Sequence, residues 1–298
     1  MIKDGVEKSF TLFFIRIRTE KAMLKKAYLE ITNVCNLNCA FCPGTRREKR
    51  FMSPEEFRLL SAKLKGNAEF LYFHLMGEPL LHPELKSLLE IAGEQGFKVI
   101  ITTNGSLLDR AGETLLGSEA VYKVNISLQS FEANPGGGLE GYVGMCAAFA
   151  AKAAEKGKLC VLRLWNENGL DRLNGEIKRL LASVFPLPWR EGRNSLTLAP
   201  GVFLERGPRF DWPGAEAPDR GGDCFCYGLR DQIGVLCDGT VVPCCLDHEG
   251  DIPLGNLFES SLESIMSTDK AKKIYRGFSQ RQAVEELCRG CGYARRFT

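Results

Sequence analysis

The chain has 298 residues, of which 44% are hydrophobic and 26% are charged. This is ordinary globular composition, with enough apolar residues for a sizeable core and a second small domain. The net charge of +2 gives no electrostatic argument for binding nucleic acid or an anionic membrane. The apolar run at residues 12–15 is followed by Arg16 and Arg18, so the N-terminus is predicted to be neither a signal peptide nor a membrane span.

Cysteine usage indicates a reducing compartment. The chain has 12 cysteines and no secretion signal. Disulfides would not persist in such a compartment, so ligation of a metal or a cluster is the expected role of several of these thiols. We therefore predict a cytoplasmic protein that is not associated with a membrane.

Residues 1–26 are predicted to form an N-terminal extension. Apolar and basic residues alternate over residues 9–25, which favours an element packed before the core, either a helix or a hairpin. We expect this segment to be too short for a separate peptide-binding domain.

A strand-and-helix period begins at residue 27. The strand-like apolar runs lie at residues 27–31, 69–75, 97–103, 121–128, 158–164 and 195–198. Helical patterning separates them; one helix is predicted to start at Ser53, as N-cap, with Pro54 at its first position. This alternation predicts an α/β fold, a partial (β/α)6 TIM-like barrel over residues 27–205.

Three cysteines follow the first predicted strand, where the active site of such a barrel is expected. Cys35, Cys39 and Cys42 stand within eight residues. They can supply three of the four ligands that a 4Fe-4S cluster usually has, which leaves one iron open to chelation by a small molecule. The alternative is a zinc site, but zinc needs four ligands and no fourth stands near this loop.

The spacing C-x3-C-x-aromatic-C, with Phe41 as the aromatic residue, resembles the signature of the radical S-adenosylmethionine (SAM) superfamily. The resemblance implies a 4Fe-4S cluster on Cys35, Cys39 and Cys42 that binds SAM. It also implies reductive cleavage of SAM to methionine and a 5′-deoxyadenosyl radical, which abstracts a hydrogen atom from the substrate. A reductant of the flavodoxin or ferredoxin type is expected as partner.

Further residues at strand ends are candidates for binding SAM. After the second strand come Gly77, Glu78 and Pro79, which resemble a glycine-glycine-glutamate-proline motif with Met76 in place of the first glycine. Gly77 can let a backbone approach a ligand, and Glu78 can accept hydrogen bonds from an ammonium group. Asn104, after the third strand, lines the nucleoside site by resemblance.

The fourth and fifth strands add polar side chains. Asn125 and Ser127 share a face by the period of two, and suit a ribose or a carboxylate. Arg163 lies in an apolar run and is a candidate for the SAM carboxylate, with an internal ion pair as the alternative. Cys146 and Cys160 are expected in the core. The three histidines form no recognisable catalytic pair and are expected to be structural or exposed.

Residues 206–223 are predicted to be a linker, rich in Gly, Pro and charge, and residues 224–298 a small α+β domain. Asp238 and Gly239 between two strand-like runs predict a hairpin. A helix is expected from residue 260 to about residue 276, before a final pair of cysteines with two residues between them.

This tail resembles the SPASM domain, in its shortened twitch form, because no cysteine follows the final pair. The resemblance implies one auxiliary 4Fe-4S cluster. The predicted ligands are Cys226, Cys244, Cys288 and Cys291, with Cys224 and Cys245 as rivals and Cys237 as a weaker one. The same four cysteines could instead hold a structural zinc ion.

By cysteine layout the chain is most similar to the radical dehydrogenases of aminocyclitol biosynthesis. We therefore expect oxidation of a small polyol or a related metabolite, with the auxiliary cluster as electron acceptor. A peptide or protein maturase is an alternative, although we expect no leader-binding domain. An RNA-modifying enzyme is another, without a basic patch to support it, and a zinc-stabilised binding module is the non-enzyme alternative.

Overall fold

The computed structural model describes residues 24–134, 136–169, 171–214 and 217–297. Most of the element predicted at residues 9–25, and of the extension 1–26, lies outside these residues. The described chain starts directly in the first strand of a mixed α/β fold.

Eleven strands and nine α-helices are described. The strands are β1 (Leu24–Leu29), β2 (Ala68–Tyr72), β3 (Lys98–Thr103), β4 (Val121–Ser127), β5 (Leu159–Glu167), β6 (Arg190–Glu191), β7 (Ser195–Ala199), β8 (Val202–Pro208), β9 (Gln232–Val235), β10 (Thr240–Val242) and β11 (Gly255–Asn256). The helices are α1 (Pro54–Leu64), α2 (Leu85–Glu94), α3 (Leu108–Gly117), α4 (Ser130–Ala133), α5 (Leu139–Glu155), α6 (Asn174–Val184), α7 (Leu262–Met266), α8 (Asp269–Ser279) and α9 (Glu286–Arg289).

All described strands belong to one sheet, in the order β11-β10-β9-β1-β2-β3-β4-β5-β8-β7-β6. The six neighbours from β1 to β8 in this order are parallel, as predicted for a partial barrel. The sheet does not close on itself within the described residues. Instead, short antiparallel strands lie at both ends.

The prediction of the sixth parallel strand was wrong. The apolar run at residues 195–198 forms β7, which pairs antiparallel with β8. The sixth parallel strand is β8, whose pairing with β5 continues as far as Pro208. A tight turn at Gly201, with φ +79°, joins β7 to β8, so the run that precedes the turn has its direction reversed. The predicted linker therefore begins inside β8.

Side chains of the parallel strands alternate between two environments, as the period of two requires. The fully buried set faces the core shared with the helices and includes Ala27, Leu71, Val124, Leu162 and Leu204. The intervening set keeps part of its surface accessible and includes Lys26, Tyr72, Lys123, Arg163 and Glu205. The second set faces the inside of the barrel, which we call the lumen.

Local sequence explains several element boundaries. Helix α1 starts after Ser53, whose hydroxyl accepts a hydrogen bond from the Glu56 N–H, and the Glu56 carboxylate accepts one from the Ser53 N–H. This capping box, with Pro54 at the first position, confirms the predicted helix start. The predicted hairpin is also confirmed: β9 and β10 pair antiparallel around Gly239, whose φ is +83°.

The C-terminal region adds to the barrel sheet. Strand β9 pairs in parallel with β1, so the auxiliary hairpin extends the sheet beyond the first barrel strand. The predicted helix after residue 260 is present as α7 and α8, divided at Ser267 and Thr268. No helix among the described residues is long and apolar enough to span a membrane.

Candidate active site

The cysteine loop runs from the end of β1 to α1 and is tied at its base. The Thr32 hydroxyl donates to the Arg50 carbonyl over 2.9 Å. The Asn33 amide donates to the Glu48 carbonyl over 2.8 Å and its Oδ1 accepts from the Arg50 N–H over 2.9 Å. These bonds fix both ends of the loop, so the residues between them are held as one compact unit beside the barrel opening.

The three thiols of this loop lie at the carboxyl ends of the parallel strands. Cys35 and Cys42 are exposed and Cys39 is half-buried. The Cys42 N–H donates to the Cys39 carbonyl over 2.9 Å, which turns the chain between them. Burial raises the pKa of the Cys39 thiol to about 11, so binding of a metal or cluster there would release a proton.

A second loop packs against the cysteine loop through a glycine. Gly77 has φ +78°, and a Cβ at this position would lie 2.5 Å from the Thr32 carbonyl oxygen and 2.9 Å from the Val34 carbonyl oxygen. The next residue, Glu78, donates its N–H to the Val34 carbonyl over 2.8 Å. The close approach that the sequence predicts for Gly77 is thus made to the backbone of the cysteine loop.

Glu78 and Asn104 lie together beneath that loop. The buried Glu78 carboxylate accepts from the Asn104 N–H over 2.7 Å and from the Leu80 N–H over 3.0 Å, while burial raises its pKa. The Asn104 amide donates to Asn36 Oδ1 over 3.0 Å, next to Cys35 in the chain. The ends of β2 and β3 are therefore joined to the cysteine loop, and the assignment of Glu78 and Asn104 to SAM stays a prediction.

Asn125 and Ser127 lie on the lumen side of β4. Asn125 is fully buried, and its amide donates to the Thr102 hydroxyl over 3.1 Å. Its Oδ1 has no hydrogen-bond partner among the described residues, so this atom is available to a bound ligand. Ser127 is in register with Arg163 on the neighbouring strand.

Arg163 forms the ion pair that the sequence left open as an alternative. Its Nε lies 3.2 Å from Glu205 Oε2, and its guanidinium lies 4.5 Å from the centroid of the Trp165 ring. This ion pair compensates the positive charge of Arg163 within an otherwise apolar strand. Its assignment to the carboxylate of SAM stays a prediction.

The C-terminal cysteines converge at one place beside the sheet. Burial raises the pKa of Cys244 well above its usual range, and negative charge on Cys245, Cys226 and Cys288 adds to this rise. For Cys288 the contributors after burial are Cys226 and Cys291. The four predicted ligands are therefore neighbours. The other candidate cysteines lie close to these four as well.

Two of the rival thiols have other partners. Cys237 donates a hydrogen bond to the Glu30 carbonyl over 3.0 Å and is buried. Cys245 packs against the apolar cluster that contains Tyr28, on the lumen side of β1. Cys224 is buried and lies within electrostatic reach of Cys291. Among the described residues, no three His, Cys, Asp or Glu side chains meet closely enough to hold a single metal ion.

Comparison with known proteins identifies the family. Residues 29–146 match the model of the radical SAM superfamily, and residues 224–292 match that of SPASM, an iron-sulfur cluster-binding domain. The chain belongs to the radical SAM superfamily. Its SPASM domain follows the barrel, and the family's cofactors are SAM, the 4Fe-4S cluster that binds it and an auxiliary iron-sulfur cluster.

Several characterised proteins are similar to this radical SAM protein. A tungsten-containing aldehyde ferredoxin oxidoreductase cofactor-modifying protein of Pyrococcus furiosus is 35% identical over 94 residues, 28% of this chain and 25% of that protein. The subtilosin biosynthesis protein AlbA of Bacillus subtilis is 24% identical over 90% of this chain and 65% of its own. The crystal structure of BtrN with AdoMet and 2-DOIA has a TM-score of 0.59 at 19% identity, covering 91% of this chain and 94% of that one. The aligned region spans only about a quarter of the first of these relatives.

The donor sets of this radical SAM protein fit its cofactors. Three thiols on one loop can hold the SAM-binding cluster with one iron open, and the fully buried Asn125 oxygen on the lumen side of β4 has no partner among the described residues. The converging C-terminal thiols can complete the ligand set of an auxiliary cluster.

Sequence reasoning missed two polar contacts of this site. The Asn134 amide donates to Cys39 Sγ over 2.9 Å, and no motif in the sequence marks this residue as part of the site. Hydrogen bonds to a cysteine sulfur tune the potential of a cluster held there. The buried Glu30, which binds Arg47 of the cysteine loop, is the other. The sequence feature that could have indicated this contact is a carboxylate inside the first apolar run.

Proposed function

We propose that this radical SAM enzyme oxidises a small molecule held in the barrel lumen, and that the auxiliary cluster takes up an electron from the substrate. Cys35, Cys39 and Cys42 would hold the SAM-binding cluster. The proposed ligands of the auxiliary cluster are Cys226, Cys244, Cys288 and Cys291. The proposed SAM contacts are Gly77, Glu78, Pro79, Asn104, Asn125, Ser127 and Arg163.

When bound, the reduced cluster and SAM together supply a 5′-deoxyadenosyl radical, the species that abstracts hydrogen in this superfamily. The substrate then loses one hydrogen atom to that radical, followed by one proton and one electron. For a secondary alcohol this gives a carbonyl group. The first electron comes from an external reductant, which we propose to be of the flavodoxin or ferredoxin type.

The observation that carries this proposal is the contact between Tyr28 and Cys245. The Tyr28 ring lies on the lumen side, 4.7 Å from the Tyr72 ring, and Cys245 packs against the apolar cluster that contains Tyr28. The neighbouring Cys244 is a proposed ligand. A bound substrate would therefore be separated from the auxiliary cluster by one aromatic side chain and one thiol, which supports electron transfer from the lumen to that cluster.

A second candidate function is maturation of a peptide. The alignment with AlbA, which extends over 90% of this chain, favours it. A peptide would have to enter the same lumen for its reacting carbon to reach the radical. The two functions therefore differ in substrate and share the residues that bind SAM and the clusters.

Anaerobic reconstitution tests the shared chemistry. With SAM and dithionite, the wild-type protein is expected to carry about eight irons in two clusters and to release 5′-deoxyadenosine. The triple Ala variant of Cys35, Cys39 and Cys42 should retain about four irons and release none. Cys146→Ala, which changes a buried thiol in α5, is the control and should behave as wild type. Stoichiometric zinc in place of iron at the C-terminal cysteines would contradict the proposal.

A further inference from the structure

His74 lies inside the barrel, where its imidazole is 5.3 Å from the Tyr28 ring and 5.8 Å from the Tyr72 ring, and the Lys26 ammonium is 5.5 Å from both rings. Lys123, on β4, pairs in register with Ile100, which pairs with Tyr72. Burial lowers the pKa of His74 to about 3, and the positive charges of Arg163, Lys26 and Lys123 lower it as well. The cations also act on one another: after burial, the charges of Arg163 and Lys26 lower the pKa of Lys123, and that of Glu205 raises it. The lumen therefore holds a group of cations around a neutral histidine.

The two lysines have no anionic partner in the described part of the chain. The ammonium group of neither Lys26 nor Lys123 forms an ion pair or a hydrogen bond there, and the Lys26 ammonium lies 5.5 Å from the centroids of the Tyr28 and Tyr72 rings. The carboxylates that act on them electrostatically, Asp231 on Lys26 and Glu205 on Lys123, are already paired. Glu205 binds Arg163 at 3.2 Å, and Asp231 binds the exposed Lys25 at 3.4 Å.

Such an arrangement is unfavourable unless something else binds to it. Partly buried ammonium groups lose hydration, and like charges close together repel each other. Natural cores avoid unpaired charges, so uncompensated cations on an inner face indicate a missing anion. His74 Nδ1 is buried without a partner among the described residues, and a neutral imidazole carries one N–H that can donate.

The position of the two lysines fits the end of a substrate remote from the chemistry. Lys26 and Lys123 are each the third residue of their strands, whereas the cysteine loop follows the carboxyl end of β1. A molecule held at the lysines would extend along the lumen toward the cysteine loop. Its far end would then meet the radical.

We propose that Lys26, Lys123 and His74 form an oxyanion subsite that binds a carboxylate or phosphate group of the substrate. The inference rests on the proposed function and narrows it: the substrate is an acidic molecule. A neutral polyol would leave both lysines unpaired. The two ammonium groups and the imidazole N–H supply donors from β1, β4 and the segment after β2.

Binding of simple anions tests the subsite without any turnover. Thermal unfolding of the reconstituted protein is measured in sodium phosphate, sodium succinate and sodium chloride at equal ionic strength. A ligand that binds only the folded protein raises the unfolding temperature. We expect phosphate or succinate to raise it above the value in chloride, and the two arms distinguish a phosphate site from a carboxylate site.

Variants give the decisive comparison. Lys26→Met and Lys123→Met should each weaken the apparent affinity for the stabilising anion about tenfold or more, because each removes a charged hydrogen bond. In chloride alone both variants should be at least as stable as wild type, since an unpaired cation is replaced by an apolar side chain of similar length. Lys25→Met, which changes the exposed neighbour on the opposite face, should keep the full effect of the anion.

Acetylation with acetic anhydride, read by mass spectrometry, provides an independent measurement. Phosphate should protect Lys26 and Lys123 but not Lys25. Equal stabilisation of wild type and the Lys26→Met/Lys123→Met double variant by every anion, or no protection, would overturn the subsite. Release of 5′-deoxyadenosine is measured separately, so failure of the subsite and failure of the radical chemistry give different results.

Discussion

The carboxylate of Glu30 accepts two hydrogen bonds from the guanidinium of Arg47, at 2.7 and 2.8 Å. The same carboxylate accepts the backbone N–H of Met76 over 3.2 Å and that of Cys237 over 3.1 Å. Arg47 also donates from Nε to the His248 carbonyl over 2.8 Å. One buried ion pair thus joins the end of β1, the cysteine loop, the loop after β2 and the auxiliary domain.

Replacing Arg47 should destabilise the protein strongly. Arg47→Met leaves the fully buried Glu30 carboxylate without its cation, and breaking such a pair costs about 3–5 kcal/mol of unfolding free energy. Urea unfolding of Arg47→Met, compared with that of Arg46→Met, measures this loss of unfolding free energy. Arg46 is mostly exposed where it pairs with Glu249, so that control should unfold close to wild type. Equal midpoints for the two variants would contradict this role of Glu30.

The loop contact at Gly77 gives a second prediction. Gly77→Ala should reduce the iron content as well as the stability, because the added methyl group collides with the Thr32 and Val34 carbonyls and displaces the cysteine loop. The positive φ alone costs about 1–2 kcal/mol. Gly96→Ala is the matched control, with φ +83° and nothing within 4 Å of the added Cβ. Gly96→Ala should lose the stability that the positive φ costs, while keeping its full iron content.

The elements that local patterns specify were predictable from the sequence. The capping box at Ser53 and the hairpin at Gly239 depend on neighbouring residues only, and both are present. The cysteine spacing identified the family because the ligands of one loop are close in sequence. The burial of Cys146 and Cys160 followed from their apolar surroundings.

The predictions that were wrong or left open concern residues whose partners are distant in the chain. An apolar run such as residues 195–198 has the same composition in a parallel or an antiparallel strand, and only the turn at Gly201 decides its direction. Lys26 and Lys123 are 97 positions apart and meet only because β1 and β4 face one lumen. No local pattern marks that meeting. The partner of Arg163 could likewise be known only once β8 lay beside β5.

His74 should make stability depend on pH. Burial lowers the pKa of His74 to about 3, against an ordinary value of 6.5. The unfolded chain therefore binds a proton below pH 6.5 that the folded protein does not. The contribution of neutral His74 to the free energy of unfolding is fully present above pH 6.5. It is lost as the pH falls toward 3, by about 1.4 kcal/mol per pH unit.

Urea unfolding of wild type and His74→Phe between pH 7 and pH 5, in chloride without phosphate, measures this contribution. The difference in unfolding free energy between the two proteins should shift by about 2 kcal/mol in favour of the variant as the pH falls from 6.5 to 5. Parallel curves for the two proteins would mean that the pKa of His74 is the same in the folded and the unfolded protein.

The last prediction separates an electron-accepting auxiliary cluster from a structural one. Cys288 and Cys291 lie on and directly after α9, remote in sequence from the cysteine loop of the barrel. If the auxiliary cluster takes the second electron, the double variant Cys288→Ala/Cys291→Ala should still release 5′-deoxyadenosine, since the SAM-binding cluster is unchanged. It should fail to release oxidised product, because the substrate radical has no acceptor for its electron.

A structural cluster predicts a different outcome for the same variant. Removing a metal site from a small domain usually unfolds that domain. Since β9 pairs directly with β1 and Cys237 binds Glu30, such unfolding would also disturb the barrel, so that 5′-deoxyadenosine and product would be lost together. Both yields are measured in one reaction, with circular dichroism as the folding control and Cys146→Ala as the control for loss of a thiol. Full product formation by a folded double variant without the auxiliary cluster would refute the electron-acceptor role, because the substrate's electron would then have left by a route that does not need this cluster.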